Sequence, residues 1–268
     1  MDHRAIGVFD SGLGGLTVVR QLRQVLPHES IVYFGDNGRI PYGTRADATI
    51  ERYARQDCRF LLEHDVKLII AACGTVSSVA GQVLDTLPVP AIGVVQPAAD
   101  AAIRATANRR VGVIATSATV RSGAFTKRLE AAGCTVFSQA CPLFVSLVET
   151  GWIDPEDPVV YHTAERYLLP LKEQGIDTLI LGCTHFPLLA PVISRVLGDG
   201  ITLIDTGKEA ALRCGELLRQ CDGLNDTEQA GAIRFFVSDR PEGFSRVAAM
   251  FLGTPIDDTV AQVQVDDR

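Results

Sequence analysis

The chain has 268 residues, 47% of them apolar and 21% charged, which is material for a sizeable core that needs no disulfide or metal staples. A net charge of −7 and an aromatic content of 6% argue against nucleic-acid partners, base stacking and binding to an anionic membrane surface. Seven cysteines, at 58, 73, 134, 141, 183, 214 and 221, are an odd number in a chain of this length and read as reduced thiols, not a disulfide framework.

Met1 to Gly7 opens straight into a strand pattern, without the basic and apolar stretches of a secretory leader, so a cytoplasmic protein is expected. The longest apolar runs, such as Leu68 to Cys73, are too short to span a bilayer. Short apolar runs read as buried strands at Ile6–Phe9, Ile31–Phe34, Leu68–Ala72, Ala91–Val95, Val111–Ala115, Thr135–Phe137, Thr178–Leu181 and Ile201–Ile204. Between them lie helical patterns, among them Leu16–Leu26, Ala46–Asp65, Ser122–Ala132 and Pro155–Gln174. The C-terminal stretch adds a strand pattern, Ile233–Val237, and a helix pattern, Gly243–Leu252. Alternation of this kind predicts parallel α/β sheets, where ligands bind beyond the C-terminal ends of the strands.

An internal repeat is visible. Ile6-Gly7-Val8-Phe9-Asp10-Ser11 resembles Val111-Gly112-Val113-Ile114-Ala115-Thr116, and Leu68 to Thr75 resembles Thr178 to His185. Each pair runs from strand to small polar turn, and the second places Cys73 and Cys183 at the same point. The expected architecture is α/β, with two pseudo-symmetric three-layer domains, mainly parallel sheets, and an active site in the cleft between them. Crossings fall at Pro88–Pro97 and Leu203–Gly207, giving a discontinuous first domain (1–95 plus 207–268) and a second over 96–206.

Cys73 and Cys183 each end a strand run before a small polar residue. There, backbone N–H groups stabilise a thiolate, and a thiol titrating at about 8.5 needs only modest help to act as a base. Two such thiols on opposite walls of a cleft suit proton transfer across a stereocentre. Inert burial is the competing reading for cysteine. A redox pair normally shows C-x-x-C, and zinc needs more ligands than two Cys and one His. Asp10 and Ser11 end the first strand before Gly12-Leu13-Gly14-Gly15, a tight turn that is not G-x-G-x-x-G; Asp10 fits a helix cap or a catalytic helper equally. His185, two residues after Cys183, could polarise that thiol. Tyr42-Gly43-Thr44 reads as a loop with exposed donors and Glu149 as a helix-end carboxylate. Thr75, Thr116, Thr119 and Thr184 are short donors near strand ends, suited to carboxylate recognition or to capping.

Several segments together resemble the aspartate/glutamate racemase family over nearly the whole chain: Gly7 to Leu16, Tyr33-Phe34-Gly35-Asp36 with Pro41-Tyr42-Gly43-Thr44, Ala72-Cys73-Gly74-Thr75, Leu181-Gly182-Cys183-Thr184-His185-Phe186-Pro187-Leu188-Leu189, and the closing Phe235 to Ser238 and Phe251 to Gly253. The resemblance implies a racemase interconverting L- and D-glutamate for peptidoglycan, with no cofactor and no metal. It implies that Cys73 abstracts from D-glutamate and Cys183 from L-glutamate, assisted by Asp10, His185 and Glu149. Ser11, Tyr42, Gly43, Gly74, Thr75, Thr116, Thr119 and Thr184 match substrate-contacting positions. A homodimer is common in the family, and neither nucleic acid nor membrane is an implied partner. Four positions depart from the family pattern: Gly74 where Asn is usual, Asn37-Gly38 in place of Thr-Ala, and Gln96 where an acidic residue is common. They bear on specificity and rate and leave the two thiols in place. Gly74 keeps open a racemase of aspartate or a related dicarboxylate. A non-catalytic small-acid or protein-binding module on the same fold is the alternative of another class.

Overall fold

The computed structural model describes residues 1–241, 244–256 and 259–265. In chain order its elements are β1 (Ile6–Asp10), α1 (Leu16–Val25), β2 (Ile31–Gly35), a 3₁₀ turn (Tyr42–Thr44), α2 (Asp47–Glu63), β3 (Leu68–Ala71), α3 (Gly74–Val79), α4 (Gly81–Leu84), β4 (Ala91–Gly93) and α5 (Val95–Ala105). There follow β5 (Arg110–Ala115), α6 (Ser117–Ser122), α7 (Ala124–Ala131), β6 (Thr135–Ala140), α8 (Pro142–Glu149), α9 (Pro158–Glu173), β7 (Thr178–Leu181), a second 3₁₀ turn (Phe186–Leu189), α10 (Ala190–Leu197) and β8 (Thr202–Asp205). The last elements are α11 (Thr206–Gln220), β9 (Ile233–Val237), α12 (Phe244–Leu252) and β10 (Val260–Gln262).

The strands form two parallel sheets, ordered β10-β9-β2-β1-β3-β4 and β6-β5-β7-β8. The segment β2-β1-β3-β4 of the first has the same order as β6-β5-β7-β8, so the sequence repeat is a repeat of topology. Each sheet is covered on both faces, because alternate residues of a strand point to opposite sides. In β1, Ile6 and Val8 pack with Leu16, Val18 and Val19 of α1, whereas Phe9 packs with Ile50, Ala54 and Leu61 of α2. In β7, Leu179 and Leu181 pack with the α8–α10 layer, and Ile180 joins Ala98 of α5 and Phe125 of α7. This is the three-layer α/β arrangement.

Differences from the sequence reading have local causes. The strand pattern Ala91–Val95 stops at Gly93, because Val95 starts α5 and Pro97 sits in its first turn, where a missing N–H costs nothing. The pattern Ser122–Ala132 is α6 and α7, broken at Gly123, whose φ of +66° ends α6. The pattern from Pro155 becomes a helix only at Pro158, where the Asp157 carboxylate caps the N–H groups of Val159 and Val160. Thr135–Phe137 extends to Ala140. The helix over Gly243–Leu252 is observed from Phe244, Gly243 lying outside the described residues. Strand β10 was not expected. Among the described residues no helix is long and apolar enough to cross a membrane.

Candidate active site

A cavity of about 350 Å³ is lined by segments that follow strands of both sheets. Ser11 follows β1, Cys73 to Thr75 follow β3, Thr116 and Ser117 follow β5, and Gly182 to His185 follow β7. Residues Ile40 to Thr44 and one side of α8, from Pro142 to Glu149, complete it. The parallel topology therefore delivers both thiols to one space.

Their surroundings differ. Cys73 is buried, and its Sγ donates to Ser11 Oγ at 3.4 Å. Burial pushes the thiol up to about 12 and the Asp10 charge adds to this, against the Ser11 hydroxyl and the Val76 N–H. Cys73 is accordingly a protonated thiol near neutral pH. Cys183 Sγ lies 3.7 Å from His185 Nδ1, and His185 Nε2 lies 3.3 Å from Glu149 Oε1. Burial disfavours a charged imidazole, but the bonds to Cys183 and Glu149, with the Asp10 charge, outweigh it and raise His185 to about 10. The raised imidazole stands between the Cys183 sulfur and the Glu149 carboxylate.

Asp10 is buried and does not line the cavity; it accepts the Gly12 N–H at 3.1 Å. Helix α1 has Gly15 at its N-cap, and Asp10 accepts from N–H groups of the turn that leads into it. Burial raises its carboxyl, against the His185 charge and the N–H groups of Gly15, Gly12 and Ser11. Tyr42 is buried, which corrects the expectation of an exposed donor. Its hydroxyl donates to Asp36 Oδ2 and lies 3.2 Å from Asp57 Oδ2, and Arg39 bonds both carboxylates at 2.6 and 2.8 Å. Burial, with Asp36 adding its charge, pushes Asp57 well above the usual carboxylate range. The cavity thus meets Tyr42 and Gly43, with the Tyr42 hydroxyl held in that network.

Thr75 and Thr116 line the cavity, their hydroxyls 3.0 Å apart. Thr116 also caps α6, its hydroxyl accepting from the Thr119 N–H, so the capping reading of it holds. Thr119 does not line the cavity; it is buried behind Thr116, its Oγ1 3.0 Å from the Thr116 hydroxyl. Thr184 Oγ1 lies 3.4 Å from His185 Nδ1, and its carbonyl accepts from the Thr17 hydroxyl across the cleft. Two glycines permit this closeness. A Cβ on Gly14 would overlap the Thr184 hydroxyl and the His185 ring, and one on Gly74 would overlap the Gly182 carbonyl oxygen. Among the described residues no group of three or more His, Cys, Asp or Glu is placed to hold a metal ion.

The Asp/Glu/Hydantoin racemase family model matches residues 16–214. The chain belongs to this family. Glutamate racemase from Geobacter metallireducens is 45% identical over 99% of this chain and 98% of its own length. The crystal structure of glutamate racemase from Francisella tularensis, in complex with D-glutamate, superposes with a TM-score of 0.91 at 39% identity, covering 100% of both chains. Glutamate racemase from Bacillus anthracis gives a TM-score of 0.93 at 36% identity, covering 99% of each.

For this racemase-family chain, sequence reasoning missed Ile40, Ser117, Pro142, Val145 and Ser146 as lining residues, and Asp36 and Asp57 as supports. A signal existed for two of them. Ser146 lies one helical turn before Glu149, and Asp57 falls within the buried spacing Ile50, Ala54, Cys58, Leu61 of α2.

Proposed function

We propose that the protein is a cofactor-independent glutamate racemase in which Cys183 and Cys73 work on opposite faces of the substrate Cα. With L-glutamate, Cys183 as thiolate takes the Cα proton and becomes a thiol. The carbanion then takes the proton of Cys73, which becomes the thiolate, and inversion is complete. D-glutamate runs the reverse sequence. The observation that carries this reading is that two equivalent cysteines open onto one cavity with unlike partners, Cys73 3.4 Å from the Ser11 hydroxyl and Cys183 3.7 Å from His185 Nδ1.

The weakly acidic Cα–H demands more than a base. Developing carbanion charge needs fixed donors in a water-poor space, and Ser11, Thr75, Thr116 and Thr184 with the backbone of Gly43 and Gly74 are suitable. Asp10 and His185 assist Cys73 and Cys183 respectively, and Glu149 supports His185. The family resemblance and the identity to curated glutamate racemases favour glutamate over aspartate. The same resemblance supports a cytoplasmic homodimer supplying D-glutamate for peptidoglycan, with domains 1–95 plus 207–268 and 96–206.

Proton NMR in D₂O with L-glutamate and no added cofactor, read alongside a chirality assay, tests the proposal. Loss of the Cα–H signal with appearance of the D-isomer is expected, and Cys73→Ala abolishes formation of the D-isomer. Exchange with L-aspartate alone moves the specificity to aspartate. Folded protein that exchanges neither amino acid overturns the racemase reading.

A further inference from the structure

From the cavity wall inward, four hydroxyls form a line that crosses between the two halves. Ser78 Oγ on α3 donates toward Thr119 Oγ1 on α6 at 3.4 Å; Thr119 Oγ1 lies 3.0 Å from Thr116 Oγ1, and Thr116 Oγ1 lies 3.0 Å from Thr75 Oγ1, again on α3. Ser78 also lies 3.1 Å from the Thr75 carbonyl, a second acceptor for its proton. Thr119 is buried, and neither Ser78 nor Thr119 lines the cavity.

Proton counting leaves the line two directions. Two hydroxyl oxygens 3.0 Å apart hold one proton between them, and each hydroxyl has one proton and two lone pairs. Thr116 Oγ1 already accepts from the Thr119 N–H. If Ser78 donates to Thr119, Thr119 donates to Thr116 and fills its second lone pair. Thr116 then donates to Thr75, and the Thr75 proton is left pointing out of the chain. Every oxygen pair holds one proton, and the end facing the cavity is a donor. Run backwards, the line would present Thr75 as an acceptor, which repels an anion.

We propose that Ser78 and Thr119 are positioning residues that set Thr75 and Thr116 as hydrogen-bond donors to a carboxylate of the substrate. The inference rests on the reading that the cavity takes an acidic amino acid. A carboxylate accepts only, so its presence selects the forward orientation, and a chain of aligned hydroxyls strengthens its last bond. Because the line leaves α3, enters α6 and returns, it is complete only while the two halves stand at this separation. Gripping the carboxylate and holding the cleft closed are then one event.

The test combines Thr119→Val, Ser78→Ala, their double variant and Thr119→Ser. Racemisation kinetics are measured, together with calorimetric binding of glutarate, a dicarboxylate without an amine or a stereocentre. Thr119→Val is expected to raise KM for both enantiomers and Kd for glutarate about tenfold, the size of a lost charge-assisted bond. Ser78→Ala has a smaller effect of about threefold, and adds nothing on the Thr119→Val background, since both act through one line. Thr119→Ser restores wild-type KM. A purely structural role would instead lower the melting temperature of the free protein and depress kcat, with additive losses in the double variant; that result overturns the proposal. So does Thr119→Val binding glutarate and racemising as the wild type does. Failure of the underlying reading is distinct, because it shows in the wild type, as absent Cα–H exchange.

Discussion

Gly74 stands where the family usually carries Asn, and its surroundings say what a side chain would do. The built Cβ meets backbone only: it overlaps the Gly182 carbonyl oxygen, with the Gly182 carbonyl carbon at 3.4 Å and Cys183 Cα at 3.9 Å. No flexible side chain can yield. Relieving the overlap requires the loop that carries Cys73 and the loop that carries Cys183 to part by roughly 1 Å, to an ordinary van der Waals separation. The loops hold the two reacting sulfurs, and a misplacement of about 1 Å is worth about a hundredfold in rate. Gly74→Ala is therefore expected to lower kcat about a hundredfold and stability by about 1–3 kcal/mol, the usual cost of overpacking. Gly74→Asn, the residue usual in the family, is expected to behave alike, since the clash is at Cβ and not at the amide. The assay is circular dichroism of glutamate racemisation in both directions, with thermal melts of the same samples. Gly81→Ala is the control: its Cβ meets nothing within 4 Å, and its stability should stay within about 0.5 kcal/mol of wild type. Gly74→Ala with wild-type kcat and melting temperature would refute the argument that this glycine sets the separation of the thiols.

His185 carries a proton up to about pH 10, against an ordinary value of 6.5. A raised basic group stabilises the fold fully below its unfolded pKa and loses that contribution as pH rises through the folded one. Chemical denaturation of wild type and His185→Gln should show a gap that is constant below pH 6.5 and closes as pH approaches 10; a gap that widens with pH contradicts this. In the network behind Tyr42, Asp57 accepts from Arg39 at 2.8 Å and lies 3.2 Å from the Tyr42 hydroxyl, so Asp57→Asn, which keeps one acceptor oxygen and loses the other, should cost about 1–3 kcal/mol. Tyr42→Phe removes the donor that both carboxylates use and should cost about 2 kcal/mol in urea denaturation.

The sheets were legible because parallel strands buried on both faces read as continuous apolar runs, and β1, β3, β5 and β7 each stand within a residue or so of where Ile6, Leu68, Val111 and Thr178 begin those runs. The thiols were legible because the fold puts functional residues directly after such strands. What escaped lies elsewhere. β10 is three residues at a sheet edge, too short to show a period. The cavity face of α8 is set by how that helix docks, not by its own pattern, so Val145 and Ser146 gave no signal beyond their spacing to Glu149. Asp57 contradicts the polar-outside rule: it sits on the buried stripe of α2 because Arg39 and Tyr42, 18 and 15 residues earlier, satisfy it. Such partnerships are tertiary, and no local period carries them.

The two halves share a topology but not a chemistry, since His185 follows Cys183 by two residues while Thr75 occupies the equivalent place after Cys73. One base is therefore built with an imidazolium partner and the other with Ser11 and a buried carboxyl nearby. It is tempting to expect that a lesson on the Cys183 side cripples only the L-to-D direction. Thermodynamics forbids it in one measure. Enantiomers in water have equal free energy, so kcat/KM for L- and D-glutamate must be equal in every variant. His185→Asn and Glu149→Gln must then lower both values by the same factor, large for His185 and, because Glu149 is 46% exposed, no more than about fivefold for Glu149. The asymmetry of the site is free to appear only in kcat and KM taken separately. On the proposed mechanism the form with a Cys183 thiolate takes L-glutamate, so removing the imidazolium should change kcat and KM by different factors for the two enantiomers while the two kcat/KM values stay equal to each other. Progress curves started from each enantiomer measure all four constants. Equal kcat changes in both directions would mean that His185 does not distinguish the two thiols.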